Sequence, residues 1–82
     1  SMLVLLFGLP GVGKSFIGKM LAEKFNLYFY DADIDLTPAI RHAISSKATI
    51  TQTMRDEYYQ TVCQRITELQ TQYHHIIVAQ AL

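Results

Sequence analysis

The 82-residue chain contains no tryptophan, a single cysteine, two prolines and four glycines. One cysteine excludes a disulfide scaffold and fits a reducing compartment, and so few glycines and prolines exclude collagen-like and low-complexity chains. Seven basic residues balance seven acidic ones, so the chain lacks the basic surface that nucleic acids and anionic membranes attract. No apolar run approaches the roughly 18 residues needed to span a bilayer. These absences favour a cytoplasmic protein that binds neither nucleic acid nor membranes.

The two ends of the chain carry predictions of their own. Ser1 precedes Met2, which is typical of a residue left by an expression tag. Near the other end, the aliphatic segment 75–79 predicts a buried strand only three residues before Leu82. We therefore expect residues 2–82 to form the N-terminal part of one longer domain. In the isolated piece, the uncovered face of that last strand would favour a homodimer.

Hydrophobic periodicity predicts strands and helices in alternation. The aliphatic run at 3–7 is typical of a strand that is covered on both faces, and helical spacing begins after it. The predicted elements are a strand at 3–7, a helix at 14–25, a strand at 27–30, a helix from Thr37 and Pro38 to 46, a long helix from 53, and a strand at 73–79. The order β-α-β-α-α-β predicts an α/β fold, in which helices flank a parallel sheet.

Each of the two longer helices is predicted to bury one apolar face. A capping box of Thr53 and Asp56 would open the long helix. Its predicted apolar face consists of Met54, Tyr58, Val62, Ile66 and Leu69. The predicted apolar face of the first helix consists of Phe16, Ile17, Met20, Leu21 and Phe25.

Residues 8–15 match the phosphate-loop pattern G-x-x-x-x-G-K-[ST] in full. Its glycines allow backbone N–H groups to surround phosphate oxygens, and the helix that follows adds its positive end. Lys14 would contact the β- and γ-phosphates of ATP, and the Ser15 hydroxyl would bind Mg²⁺. Because the match lies between a predicted strand and a predicted helix, it predicts a P-loop NTPase-type fold. The predicted nucleotide-binding residues are Gly8, Leu9, Pro10, Gly11, Val12, Gly13, Lys14 and Ser15.

Three acidic residues, Asp31, Asp33 and Asp35, alternate directly after the second predicted strand. Ligands of parallel α/β sheets bind at the carboxyl ends of the strands, so these residues are expected near the phosphate loop. A carboxylate there could orient Mg²⁺ or accept the proton of an attacking hydroxyl. The third strand ends without Asp or Glu, which favours Asp31 and Asp33 for these roles. Asp35 is assigned to a solvated turn.

These segments resemble the gluconate kinase-like and shikimate kinase-like P-loop small-molecule kinases, and gluconate kinase is the more similar of the two. The resemblance is carried by the phosphate loop, by Phe29-Tyr30-Asp31-Ala32-Asp33, by Pro38 and Arg41, and by the third strand with residues 79–82. It implies ATP-dependent phosphoryl transfer to a hydroxyl of a small sugar acid or polyol. The resemblance further implies catalytic roles for Lys14, Asp31 and Asp33, metal binding by Ser15 and Asp31, and substrate binding by Asp33, Arg41 and Arg55.

Two alternatives remain open at this point. The acceptor could be shikimate or a nucleoside monophosphate, or the chain could be a nucleotide-binding module without catalysis. The second alternative draws support from residues 49–55, where gluconate kinases have P-L-N-D-x-D-R. Gln52 and Met54 stand where that motif has its two acids.

Overall fold

A computed structural model of the chain describes residues 2–8 and 13–82. Predictions that concern Ser1 and residues 9–12 lie outside the described residues. The described elements are the strand β1 (Met2–Phe7), the helix α1 (Lys14–Phe25), the strand β2 (Tyr28–Asp31), a 3₁₀ helix (Ala32–Asp35), the helices α2 (Pro38–Ser46) and α3 (Gln52–Gln70), and the strand β3 (His75–Gln80). The predicted order of strands and helices is confirmed, and the 3₁₀ helix is an addition to it.

The three strands form a parallel sheet in the order β1-β3-β2. Phe7 of β1 pairs with Gln80 of β3, and Asp31 of β2 pairs with Ala79. The carboxyl ends of all three strands therefore lie level at one edge of the sheet. This arrangement confirms the α/β fold, and it brings the segments after β1 and β2 to the same edge, one strand apart.

The main core lies between the sheet and the helices α2 and α3. Ile76 and Val78 of β3 pack there with Ile40 of α2 and with Tyr58 and Val62 of α3. The predicted apolar face of α3 is confirmed, because all its members are buried in this core or packed against it.

The strand β3 is central, which corrects the prediction of an uncovered third strand. Its residues Ile76, Ile77, Val78 and Ala79 are all buried, because β3 pairs on both sides and helices cover it. The reason we gave for a homodimer is therefore wrong, and the homodimer itself stays a prediction.

The strand β1 is an edge strand of this sheet, and it is not covered on both faces as predicted. Leu3, Leu5 and Phe7 project to one face and are 45%, 48% and 67% exposed. None of the six residues of β1 is buried, so the continuous aliphatic run predicted the strand correctly and its burial wrongly. Within the described residues, no helix covers this face of β1 completely.

The helix α1 packs on small residues, contrary to the prediction of a large apolar face. Gly18 and Ala22 are its buried positions, whereas Phe16 and Phe25 are among its exposed ones. A Cβ atom at Gly18 would overlap the ring of Phe29 in β2, so only glycine allows this close approach. The helix therefore rests on the sheet along its small residues, and the larger side chains lie beside the contact.

The helix boundaries follow local capping signals. Thr37 Oγ1 accepts a hydrogen bond from the Ile40 amide at 3.2 Å, which confirms the predicted start of α2. In α3 the N-cap is Thr51 instead of Thr53, and its Oγ1 accepts from the Met54 amide at 3.2 Å. The predicted capping box was wrong because the threonine two residues earlier caps the helix and includes Thr53 in its first turn.

None of the helices in the described part of the chain combines the length and the apolar character that crossing a bilayer requires.

Tyr58 links α3 to the segment that follows β2. Its side chain is fully buried, and its hydroxyl donates a hydrogen bond to the Ala32 carbonyl at 3.0 Å. Replacing Tyr58 with Phe would leave that carbonyl buried without its partner, so we expect the free energy of unfolding to fall by about 1–3 kcal/mol. Urea denaturation measures this difference.

The matched control is Tyr59→Phe, because Tyr59 is half-buried and its hydroxyl makes no hydrogen bond to the described residues. An equal loss of stability in both variants would show that the buried hydrogen bond of Tyr58 is not what stabilises the fold.

Candidate active site

The phosphate-loop segment enters α1 through a left-handed backbone conformation. Gly13, the residue before α1, has φ of 83°, which disfavours every residue with a Cβ. Lys14 is the first residue of the helix, and Ser15 lies in its exposed first turn. The backbone therefore favours glycine at the last position of the motif, and the turn brings Lys14 and Ser15 to the carboxyl edge of the sheet. Residues 9–12 of the predicted loop lie outside the described residues.

The acidic residues after β2 form a compact turn, which we call the acidic turn (residues 31–35). Asp31 is the last residue of β2 and caps the 3₁₀ helix. Its Oδ1 accepts a hydrogen bond from the Asp33 amide at 3.0 Å, as in an Asx turn. Because one oxygen of Asp31 is held in this way, its other oxygen has a defined direction.

That second oxygen of Asp31 points toward the phosphate-loop segment. The Ser15 hydroxyl lies 3.5 Å from Asp31 Oδ2, although the two residues are 16 positions apart in the chain. Two neighbouring ligands of an octahedral Mg²⁺ ion stand about 2.9 Å apart. The pair therefore fits Mg²⁺ after a small adjustment, and these are the two residues predicted to bind the metal.

Among the described residues, no three His, Cys, Asp or Glu side chains cluster closely enough to hold a metal ion by themselves. An ion at Ser15 and Asp31 would therefore depend on phosphate oxygens and water for its remaining ligands. This is the usual situation for Mg²⁺, which retains waters and binds nucleotide phosphates.

Asp33 is the acidic residue of the turn whose carboxylate has no hydrogen-bond donor within the described residues. It is half-buried. Burial raises the pKa of Asp33, and the neighbouring Asp31 raises it further, while Lys14 and Arg41 oppose both effects. Asp33 is therefore a better proton acceptor than an ordinary aspartate, and it lies within the electrostatic reach of Lys14.

The two predicted substrate-binding arginines differ in what they contact. Arg41 donates from Nη2 to the Asp33 carbonyl at 2.9 Å and from Nε to the Leu36 carbonyl at 3.2 Å. Arg55 is half-buried, and its guanidinium has no hydrogen bond or ion pair within the described residues. It precedes Tyr58 by three residues, so the two are neighbours on the surface of α3. Arg41 therefore supports the turn, whereas the guanidinium of Arg55 is unpaired within the described residues.

Sequence reasoning missed the residues that anchor the acidic turn. Tyr58 was assigned to the core alone, and Asp35 to a solvated turn. Asp35 instead forms an ion pair with Arg65 of α3, and the Tyr30 hydroxyl donates to it at 2.6 Å. Asp35 and Arg65 are 30 positions apart, so no local pattern of the sequence could have predicted the pair.

The ionisation states of these anchors agree with their hydrogen bonds. The Arg65 guanidinium, with help from the Tyr30 hydroxyl, lowers the pKa of Asp35 although partial burial opposes this shift. Burial raises the pKa of Tyr30, and its hydrogen bond to Asp35 adds to the effect. Burial likewise raises the pKa of Tyr58, and the nearby carboxylates add to it. Both tyrosine hydroxyls therefore remain protonated donors at neutral pH.

Comparison with known proteins agrees with this fold. A family model described as shikimate kinase matches residues 10–81. Among solved structures, a gluconokinase from Sinorhizobium meliloti 1021 superposes with a TM-score of 0.72 at 20% sequence identity. The superposition covers 100% of this chain and 43% of the gluconokinase chain. A search of curated proteins gives no match.

The likeness to the gluconokinase, at this level of identity, supports the fold. The family model supports more, because it extends over nearly the whole sequence and includes Lys14, Ser15, Asp31 and Asp33. The chain therefore belongs to the shikimate kinase family of P-loop small-molecule kinases.

Proposed function

We propose that the protein to which this chain belongs transfers the γ-phosphoryl group of cytoplasmic ATP to a hydroxyl of a small hydroxy acid or polyol. The observation that carries this proposal is the approach of two pairs at one edge of the sheet. Ser15 lies beside Asp31, and Lys14 lies within the electrostatic reach of Asp33. The first pair could bind a nucleotide-bound Mg²⁺ ion. In the second pair, Lys14 could bind the phosphoryl group and Asp33 could accept the proton of the acceptor hydroxyl.

In the proposed reaction, the acceptor hydroxyl gives its proton to the Asp33 carboxylate as its oxygen attacks the γ-phosphorus. A bond from the acceptor oxygen to phosphorus forms, and the bond from phosphorus to the β–γ bridging oxygen breaks, releasing ADP. Lys14 would neutralise negative charge on the β- and γ-phosphates during this transfer. Mg²⁺, held by Ser15 and Asp31, would supply further neutralisation when bound. The protein's contribution is mainly orientation and charge.

We base the acceptor class on Arg55, whose guanidinium has no hydrogen bond or ion pair within the described residues. A guanidinium binds a carboxylate through two parallel hydrogen bonds, and Arg55 is a helical neighbour of Tyr58, which contacts the acidic turn. An acceptor that carries both a carboxylate and a hydroxyl could therefore contact Arg55 and Asp33 together. Gluconate and shikimate both have this chemistry, and of the two we propose a gluconate-like sugar acid on the strength of the sequence resemblance.

The alternative that changes the class is a nucleotide-binding module without catalysis. Two positions support it. Gln52 and Met54, which stand where gluconate kinases have two acids, make contacts within the first turn of α3 and the core. Gln52 Nε2 donates to Asp56 at 2.9 Å, and Met54 packs against the core with its sulfur near the Thr51 amide. If substrate binding needed acids at these two positions, this chain would lack them.

A panel of acceptors, assayed with the full-length protein by coupled detection of ADP, tests the proposal. We expect turnover with a hydroxy acid such as gluconate or shikimate, above the rate of ATP hydrolysis without acceptor. Turnover with nucleoside monophosphates alone would contradict the proposed acceptor class. Nucleotide binding without turnover on any acceptor would favour the non-catalytic module.

A further inference from the structure

Asp35 is the one aspartate of the acidic turn to which the proposed reaction gives no role. It ends the 3₁₀ helix, two residues after Asp33, and its side chain is only 13% exposed. A carboxylate this well shielded needs partners, and its partners come from outside the turn. They are Tyr30 at the end of β2 and Arg65 in the fourth turn of α3.

The contact between Asp35 and Arg65 is bidentate. Arg65 Nε lies 3.1 Å from Asp35 Oδ2, and Arg65 Nη2 lies 3.1 Å from Oδ1. The Tyr30 hydroxyl donates to Oδ2 at 2.6 Å. Two parallel bonds from a planar guanidinium fix both the distance and the direction of a carboxylate, which a single charge cannot do.

The acidic turn is thereby attached to α3 at both ends. Tyr58 holds the Ala32 carbonyl at the start of the turn, and Arg65 holds the Asp35 side chain at its end. Tyr58 and Arg65 are seven residues apart, so they lie on the same side of α3, two turns apart. Asp33 lies between these two attachments, and its carbonyl is bound by Arg41 from α2.

We propose that Asp35 and Arg65 are positioning residues, which hold the acidic turn against α3 so that the Asp33 carboxylate meets the acceptor hydroxyl. The proposal rests on the proposed function for the identity of the reaction, but its structural part can be tested alone. Neither residue touches the reacting atoms. A positioning role explains the bidentate geometry, whereas an ion pair whose Arg65 side chain is 44% exposed contributes little to folding by itself.

The kinetic test uses Asp35→Asn and Arg65→Lys in the full-length protein. Both substitutions keep the approximate size of the side chain and remove the bidentate contact. We expect kcat for the acceptor to fall by about 10²-fold, the usual effect of a displacement of about 1 Å at a reacting group. KM for ATP should change much less than kcat, because the phosphate loop is attached to β1 and α1 and Asp31 is the one residue of the proposed nucleotide site that belongs to the turn. The double variant should be no worse than either single variant, because the two residues act as one unit.

The matched control is Glu68→Gln. Glu68 is the other partner of Arg65, with its Oε2 3.5 Å from Nη1, but it makes no contact with the acidic turn. Its removal tests the loss of charge near Arg65 while the bidentate contact remains. We expect kcat and both KM values of this variant to equal those of the wild type.

A second measurement does not depend on activity. The Asp33 and Leu36 amides both donate within the turn, to Asp31 Oδ1 and to the Asp33 carbonyl. In Asp35→Asn we expect amide hydrogen exchange to accelerate at these two positions while the amides of β3 stay protected. Unchanged exchange at Asp33 and Leu36 would overturn the proposal, as would a uniform loss of protection across the fold. If the wild type has no acceptor activity, the proposed function fails, and the exchange result still decides the positioning role.

Discussion

Replacing Asp33 with Asn is expected to lower kcat/KM for the acceptor by about 10²–10⁴-fold, the range that a positioned general base contributes. The amide keeps the shape of the side chain, but it cannot accept the hydroxyl proton. Affinity for ATP should not change, because in the proposed reaction Asp33 contacts the acceptor and the phosphate loop binds the nucleotide. Coupled ADP detection gives the rate, and calorimetry gives the nucleotide affinity.

Asp56→Asn is the control for this substitution. Asp56 is an exposed carboxylate of α3 that accepts from Gln52, and it takes no part in the proposed reaction. Equal activity of Asp33→Asn and the wild type would remove the general base from the mechanism. A large loss of ATP affinity in Asp33→Asn would mean that this residue serves the nucleotide instead of the acceptor.

Replacing Lys14 with Ala is expected to weaken nucleotide binding strongly and to reduce phosphoryl transfer by about 10²–10³-fold, the effect of removing one preorganised charge-stabilising group. The stability of the nucleotide-free protein should change little by comparison, because the attraction between Lys14 and the Asp33 carboxylate is opposed by the unfavourable position of a positive charge in the first turn of a helix. Binding and stability therefore respond differently, which separates this result from simple unfolding. Titration with ADP and thermal denaturation measure the two effects.

Lys24→Ala is the matched control, since Lys24 is an exposed lysine in the last turn of the same helix. Its removal should leave nucleotide affinity intact. If the Lys14 and Lys24 variants bound ADP equally well, the phosphate-loop assignment would be wrong for this chain.

The parts of the fold that the sequence predicted well depend on local signals. The bounds of α1 follow from Gly13 before it and Asn26 after it, both with left-handed backbone conformations. The start of α2 follows from Thr37 and Pro38, which are typical of an N-cap and the first helical position. Such signals act within a few residues, so the sequence alone is sufficient to read them.

The parts that failed depend on contacts between distant segments. The face of α1 that meets the sheet was mispredicted because the ring of Phe29, in another element, occupies the space that only Gly18 leaves open. In the same way, the exposure of β1 is decided by how far the helices extend over its face, which the hydrophobicity of the strand does not reveal.

The same difference between local signals and distant contacts applies to the residues of the candidate site. Ser15, Asp31 and Asp33 could be selected from the sequence because a motif and a strand end marked them. The ion pair that holds the acidic turn could not be predicted from the sequence. Asp35 and Arg65 are far apart in the chain, and only the packing of α3 on the sheet brings them together. The proposed reacting residues could therefore be selected from local patterns, whereas the residues proposed to orient them could not.

The central place of β3 has a consequence for how the chain acquires its structure. β1 and β2 are not neighbours in the sheet, and each forms its hydrogen bonds with β3, which follows both in the chain. A chain emerging from the ribosome at about 5–20 residues per second would expose two unpaired strands until the third arrives. Sheet formation must then close long loops in one late step, which favours slow folding and makes a nascent chain at this stage a natural client of chaperones.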